Sequence, residues 1–310
     1  MKKYLLSIFT LAFVCLFLQN IHAQEFIPIW PPDKKPNNNG KKITDSLFNE
    51  RIWRVATPGL FVFSVPRSEN KGTAVLICPG GGYERLSHVY NGFQVARWFN
   101  AHGINAFVLI YRLPHQQDLQ QRELAPLQDA QRAMKFIRAN ASVWNVHSNK
   151  LGVMGTSAGG HVASSLGTSV QDVSSVHDSL DKFSFQPNFM ILLSPVISMG
   201  EFAHAGSRKN FLGPDTSKTM VEKYSTNLHV TNCTPATFMV HAQNDSTVSV
   251  RNSLLFYNAL IENKVPASIH IFPQGGHGIK MFDNPGSTDL WPELLYRWLI
   301  EKGFVVNSNN

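Results

Sequence analysis

Seven short apolar runs limit what this chain can fold into. Leu60–Phe63, Ala74–Cys78, Ala106–Ile110, Leu151–Met154, Met190–Leu193, Thr237–Val240 and Ser268–Phe272 are each four or five residues long, and most lack polar alternation. A strand with one wet face alternates; a strand buried on both faces does not, which is the mark of a parallel sheet covered on both sides. Helical patterns lie between the runs. "FQVARWFNAHG" stops at Gly103, and "APLQDAQRAMKFIRANA" places Leu127, Ala130, Met134 and Ile137 on one stripe. "VRNSLLFYNALIENK" and "WPELLYRWLIEKG" repeat the pattern, with Pro292 tolerated near a helix start. Strand–helix alternation of this kind predicts an α/β fold, a mostly parallel twisted sheet of about seven to eight strands with helices on both faces.

The 310 residues are 43% hydrophobic and 16% charged, an ordinary globular composition that fits one large domain. The start, "MKKYLLSIFTLAFVCLFLQNIHAQ", has Lys2 and Lys3, an apolar run from Leu5 to Leu18, and the small residue Ala23. That order of parts predicts a secretory leader over residues 1–23. Gln19, Asn20 and His22 end the run short of the roughly 20 residues needed to span a bilayer. The mature protein is therefore expected to be secreted or periplasmic and free of the membrane. Removing the two leader lysines takes the formal charge from +7 to +5. No block of like charges suggests a nucleic-acid arm. Residues 24–49, with "PIWPPDKKPNNNGKK", are expected to be a solvated arm or linker, and residues 50–305 the main domain. The polar stretch 198–230 interrupts the rhythm as an insertion near one edge of the sheet. Cys78 ends one run and Cys233 precedes another, so parallel strands would hold them at opposite ends of the sheet, unpaired. No Cys/His group has zinc spacing.

Chemistry concentrates in "LGVMGTSAGGHVAS". Ser157 stands between Gly155 and Gly159, after a strand pattern and before a helix pattern. A nucleophilic serine on a sharp strand-to-helix turn needs that context. A serine hydroxyl also needs a base, a group to orient the base, and donors for the oxyanion. Asp245 in "TFMVHAQNDSTVSV" lies just past a strand and is the expected orienting acid. His277 in "IHIFPQGGHGIK" follows another strand among glycines and is the expected base. Asp283 and Asp289 compete with Asp245 but follow the histidine. His161, on the helix that the serine opens, is expected to pack against the core. "LICPGGGYERLS" puts glycines directly after a strand, so N–H groups near Gly81 and Gly82, with that of Ala158, are the expected oxyanion donors. Tyr83, Glu84, His204 and Arg208 are the candidate substrate-binding residues. This chemistry calls for no metal and no cofactor.

These segments, with "AFVLIYRLP", "PLQDAQRAMKFIR", "LLSPVISM" and "GSRKNFLG", resemble the α/β-hydrolase superfamily. More narrowly, they resemble the secreted carbohydrate esterases of the acetyl xylan esterase and feruloyl esterase-like group. The resemblance runs over roughly residues 50–302 and departs at Pro79, where lipase-type members have histidine. It implies the triad Ser157, Asp245 and His277, an acyl-enzyme, and a small-molecule or oligosaccharide ester as partner, acetylated xylan first. A hydroxycinnamoyl esterase or a general short-chain carboxylesterase is the near alternative. A serine peptidase and an inactive glycan-binding fold are more distant ones.

Overall fold

The structure, a computed structural model, describes residues 24–306; the expected leader lies outside them. In chain order the strands are β1 (Phe26–Pro28), β2 (Ser46–Phe48), β3 (Arg51–Arg54), β4 (Gly59–Phe63), β5 (Ala74–Cys78), β6 (Asn105–Ile110), β7 (Leu151–Thr156), β8 (Phe189–Leu193), β9 (Ala236–Ala242) and β10 (Ala267–Phe272). The α-helices are α1 (Gln94–Ala101), α2 (Ala125–Ala139), α3 (Ala158–Thr168), α4 (Ala205–Leu212), α5 (Lys218–Tyr224), α6 (Arg251–Glu262) and α7 (Trp291–Glu301). Eight strands form the main sheet in the order β1-β4-β6-β5-β7-β8-β9-β10, and β2 pairs with β3 in a separate ribbon. From β6 to β10 every neighbouring pair is parallel; β4 and β1 add an antiparallel edge.

Every residue of β5, β6, β7 and β8 is buried, which is why those runs carry no polar alternation. Two cores flank the sheet. Met134 and Ile137 of α2, Val162 and Leu166 of α3, and Phe256 and Leu260 of α6 pack on one face. Val95 and Phe99 of α1, with Leu295 and Trp298 of α7, pack on the other.

The N-terminal arm is docked rather than free. β1 pairs with β4, and Ile29 and Trp30 are buried. The Trp30 indole N–H donates to Asp129 Oδ1 at 2.7 Å, and the Arg132 guanidinium lies over its ring at 4.9 Å. The segment 198–230 contains α4 and α5, whose N-termini are capped by His204 and Ser217. Cys78 is buried, Cys233 is exposed, and both are free.

β5 lies between β6 and β7, so the chain leaves it first to one side and then to the other. This reversal is a topological switch point, and the carboxyl ends of the strands beside it are where open α/β sheets bind ligands. The loop with Gly80–Gly82 follows β5, and Ser157 follows β7.

Candidate active site

Ser157 sits at the junction of β7 and α3 with φ 57° and ψ −122°, a backbone region that residues with a side chain rarely adopt. Its N–H donates to the Leu193 carbonyl at 3.0 Å, and its carbonyl accepts from Val196 N–H at 3.0 Å. The flanking glycines are required by close approach. A Cβ at Gly155 would come within 2.1 Å of the Gly159 carbonyl oxygen, and one at Gly159 within 2.0 Å of the Cys78 carbonyl oxygen. The motif thus lets α3 start directly against β5 and β7.

Three side chains from distant parts of the chain meet here. Asp245 Oδ2 lies 2.7 Å from His277 Nδ1, and His277 Nε2 lies 2.8 Å from Ser157 Oγ. A carboxylate can only accept, so Nδ1 carries the proton and Nε2 is left to accept from the serine hydroxyl. The Asp245 side chain is fully buried, while His277 is about a quarter exposed, at 24%. Burial pushes the Asp245 carboxyl up, but hydrogen bonds from His241, His277 and the Val248 N–H, with the His277 charge, outweigh it. The group is held well below the usual carboxylate range.

The histidine loop is fixed from three sides. Gly276 N–H donates to Asn244 Oδ1 at 2.9 Å, Tyr90 O–H to the Gly278 carbonyl at 3.1 Å, and Thr288 O–H to the Gln274 carbonyl at 2.6 Å. Asp283 and Asp289 are exposed; Asp289 accepts from Asn284 rather than from His277.

Ala158 is the first residue of α3, where backbone N–H groups have no partner within the helix. Gly81 and Gly82 both have positive φ, 139° and 66°. No protein acceptor among the described residues meets the N–H of Gly81, Gly82 or Ala158. Gly80 brings this loop against Ser157, since a Cβ there would lie 3.1 Å from Ser157 Cβ.

The four candidate substrate-binding residues divide. Tyr83 is fully buried: its ring packs on Phe211, and its hydroxyl donates to His161 Nδ1 at 2.7 Å. The aromatic pattern around "GGGY" gave no sign of that inward turn. Burial pushes His161 down to about 4 despite its bond to the Tyr224 carbonyl, so the ring is neutral and free to accept from Tyr83. Glu84 is exposed and ion-paired with Arg85. His204 faces the site: burial first, then the His277 charge, lower its pKa, while Asp245 raises it. Its Cε1 lies 4.0 Å from where a Gly82 Cβ would stand. Arg208 is half-buried one turn along α4, and its Nε has no hydrogen-bond partner.

Two residues that sequence reasoning passed over belong to the arrangement. Asn210 Nδ2 donates to the Gly82 carbonyl at 2.9 Å and ties α4 to the glycine loop. His241, fully buried, places Nε2 3.2 Å from Asp245 Oδ2 and 2.9 Å from the Val248 carbonyl, with Nδ1 2.8 Å from Ser253 Oγ. Its signal in "HAQND" was the four-residue spacing to the acid. Among the described residues no group of three His, Cys, Asp or Glu side chains could hold a metal ion.

The model of the BD-FAE family matches residues 62–260. The chain belongs to the BD-FAE family. It has the α/β-hydrolase fold. It is 37% identical over 212 residues to an acetylxylan esterase from Xylanibacter ruminicola, a match covering 67% of this chain and 41% of that protein. It is 34% identical over 271 residues to endo-1,4-beta-xylanase B from Butyrivibrio fibrisolvens, covering 83% of this chain and 42% of that one. The matches thus span about two fifths of the length of these curated relatives. Among solved structures, an acetyl ester-xyloside bifunctional hydrolase from Caldicellulosiruptor lactoaceticus is 34% identical with a TM-score of 0.78, over 93% of this chain and 99% of that one. An esterase from Thermogutta terrifontis shares the fold, with a TM-score of 0.67 at 21% identity over 90% of this chain and 99% of its own.

Proposed function

We propose that this BD-FAE protein is a serine esterase that removes short acyl groups, acetyl first, from plant polysaccharide such as xylan. The observation that carries the reading is the unbroken hydrogen-bond chain Asp245–His277–Ser157, with free N–H groups beside the serine. The names of the relatives, which speak of acetyl esters and xylan, supply the substrate class.

In this reading Ser157 Oγ attacks the ester carbonyl carbon while its proton moves to His277 Nε2. The carbonyl oxygen becomes an oxyanion that accepts from N–H groups of the Gly81–Gly82 stretch and of Ala158. As the intermediate collapses, the ester C–O bond breaks and Nε2–H protonates the leaving sugar hydroxyl. Water then attacks the acyl-serine and gives a proton to Nε2; as that second intermediate collapses, the bond between the acyl carbon and Ser157 Oγ breaks, Nε2–H returns the proton to Oγ, and the carboxylic acid leaves. Asp245 holds the tautomer and stabilises the imidazolium that forms in each half. Losing one oxyanion donor costs about 2.7–4 kcal/mol of transition-state stabilisation in such sites.

Export from the cell is part of the proposal, on the leader pattern of residues 1–23. No helix of the described residues is long and apolar enough to cross a membrane.

Acid release from acetylated and feruloylated xylo-oligosaccharides, followed by mass spectrometry, tests the reading. Acetate release by wild type and none by Ser157→Ala is expected. Release of feruloyl groups alone would move the assignment to a hydroxycinnamoyl esterase, and release of neither would end it.

A further inference from the structure

The β2–β3 ribbon stands apart from the main sheet and joins the site through the glycine loop. Ile52 N–H donates to the Leu86 carbonyl at 3.1 Å, and Leu86 N–H returns the bond to Ile52 at 2.8 Å. In the ribbon Leu47 stands opposite Ile52 and Phe48 opposite Arg51. Pairing puts Leu47 and Ile52 on one face and Phe48 and Arg51 on the other, while the register shift between Ser46 and Leu47 leaves Trp53 as the unpaired residue of a bulge, its Nε1 3.4 Å from the Phe48 carbonyl. The first face lines a small cavity of about 180 Å³ with Phe61 and His88, although Leu47 on it is itself 68% exposed. The second is open: Phe48 is 64% exposed, and Arg51 is exposed beside a half-exposed Trp53. Apolar side chains of that size on a three-residue strand contribute little to the core, and Leu47 and Phe48, exposed side by side, group apolar surface in the way a binding surface does.

This face is continuous with the nucleophile. Gly80 abuts Ser157, as above. A Cβ at Gly81 would meet the Arg85 carbonyl oxygen at 2.0 Å and Arg85 Cγ at 3.3 Å. The Arg85 guanidinium covers the Trp53 ring at 5.1 Å from its centroid, and Trp53 Nε1 reaches the Phe48 carbonyl at 3.4 Å. A track of contacts therefore runs Ser157, Gly80, Gly81, Arg85, Trp53, Phe48.

We propose that Phe48, Trp53 and Arg85 form a glycan platform that takes sugar rings neighbouring the esterified one. Pyranose rings present flat C–H faces that suit aromatic side chains, and their hydroxyls suit the donors of Arg51 and Arg85 and the Glu84 carboxylate. The proposal rests on the ester-hydrolase reading and goes beyond it by assigning the part of the molecule that recognises polymer.

The test compares Phe48→Ser and Trp53→Ala with wild type on acetylated xylo-oligosaccharides and on para-nitrophenyl acetate, which is too small to reach the platform. On the oligosaccharides KM rises about tenfold, the loss expected from removing one aromatic contact surface. On para-nitrophenyl acetate kcat/KM stays within about twofold. Phe48 is exposed enough that its variant reports contact rather than folding. Equal losses on both substrates, or no loss on either, overturn the platform. So does wild type that cleaves the small ester but not the oligosaccharides. Sedimentation of the same variants reads the other occupant: a drop in mass from a wild-type dimer would make the face a self-association surface and also overturn the proposal. A wild type inactive on para-nitrophenyl acetate sinks the esterase reading itself.

Discussion

Asp245 accepts from two imidazoles and two backbone amides: His277 and His241 on Oδ2, Thr247 and Val248 N–H on Oδ1. A carboxylate so held is fixed in rotation as well as in charge. Asp245→Asn would turn an amide N–H toward His277 and favour the wrong tautomer. We expect kcat to fall by about four orders of magnitude with KM nearly unchanged; a change in KM alone would remove Asp245 from the catalytic group. His241 Nε2 lies 3.2 Å from Asp245 Oδ2, so any effect of His241 on catalysis is expected to pass through Asp245. The Val248 carbonyl can only accept, so Nε2 carries the proton and Nδ1 accepts from Ser253. His241→Leu is expected to lower kcat roughly ten- to a hundredfold, the loss of one buried hydrogen-bond donor. His241→Gln, whose side-chain amide can occupy the Nε2 position, should recover part of it. Equal kcat in the two variants would reduce His241 to a packing role.

Helix α2 organises the back of the sheet through buried charge. Lys135 is almost fully buried and pairs with Asp172 and Asp181, and Arg132 pairs with Asp178 at 2.6 Å. For Asp172 and Asp181 burial pushes the carboxyls up, but the Lys135 contacts outweigh it; for Asp178 the Arg132 hydrogen bond leads. All three lie below the ordinary range. Because their folded values are depressed, the stability they add is fully present above about pH 4 and is lost as pH falls through those values. Lys135→Met should therefore lower Tm at pH 7, equivalent to about 1–3 kcal/mol after discounting for the part-exposed acids. Its further decline below pH 4 should be shallower than that of wild type. Parallel Tm curves from pH 7 to 3 would place the acid sensitivity elsewhere.

The same scale shows what the sequence could tell. β5 coincides with the run Ala74–Cys78, and the others differ from theirs by one or two residues at the ends, because strands buried on both faces leave continuous apolar runs. β1, β2 and β3 were not legible: three or four residues are too few to show a periodicity, and β1 carries proline and β3 charge besides. α4 and α5, at eight and seven residues, lack the long apolar stripe that reveals a helix. That Ser157, Asp245 and His277 stand just past strand ends was legible because each follows an apolar run in a turn-forming context. Tyr83 was misjudged because its side-chain direction depends on His161 and Phe211, which a local reading does not bring together.

At the scale of the whole molecule the sheet sets which groups are accessible. Cys78 is sealed at the carboxyl end of β5, and burial pushes its thiol far up, while Cys233 is exposed ahead of β9. Peptide mapping after alkylation should find Cys233 modified in the native protein and Cys78 only after unfolding; early modification of Cys78 would mean that the centre of the sheet opens. The same sheet joins residues 120 positions apart, since His277 reaches Ser157 only because β10 and β7 end on one rim. The most direct measurement of that convergence is intact-mass and peptide analysis after exposure to a fluorophosphonate. The account predicts one adduct on wild type, located at Ser157, no adduct on Ser157→Ala, and strongly slowed labelling in His277→Ala. An unlabelled wild type, or a Ser157→Ala variant labelled as readily as wild type, would contradict it.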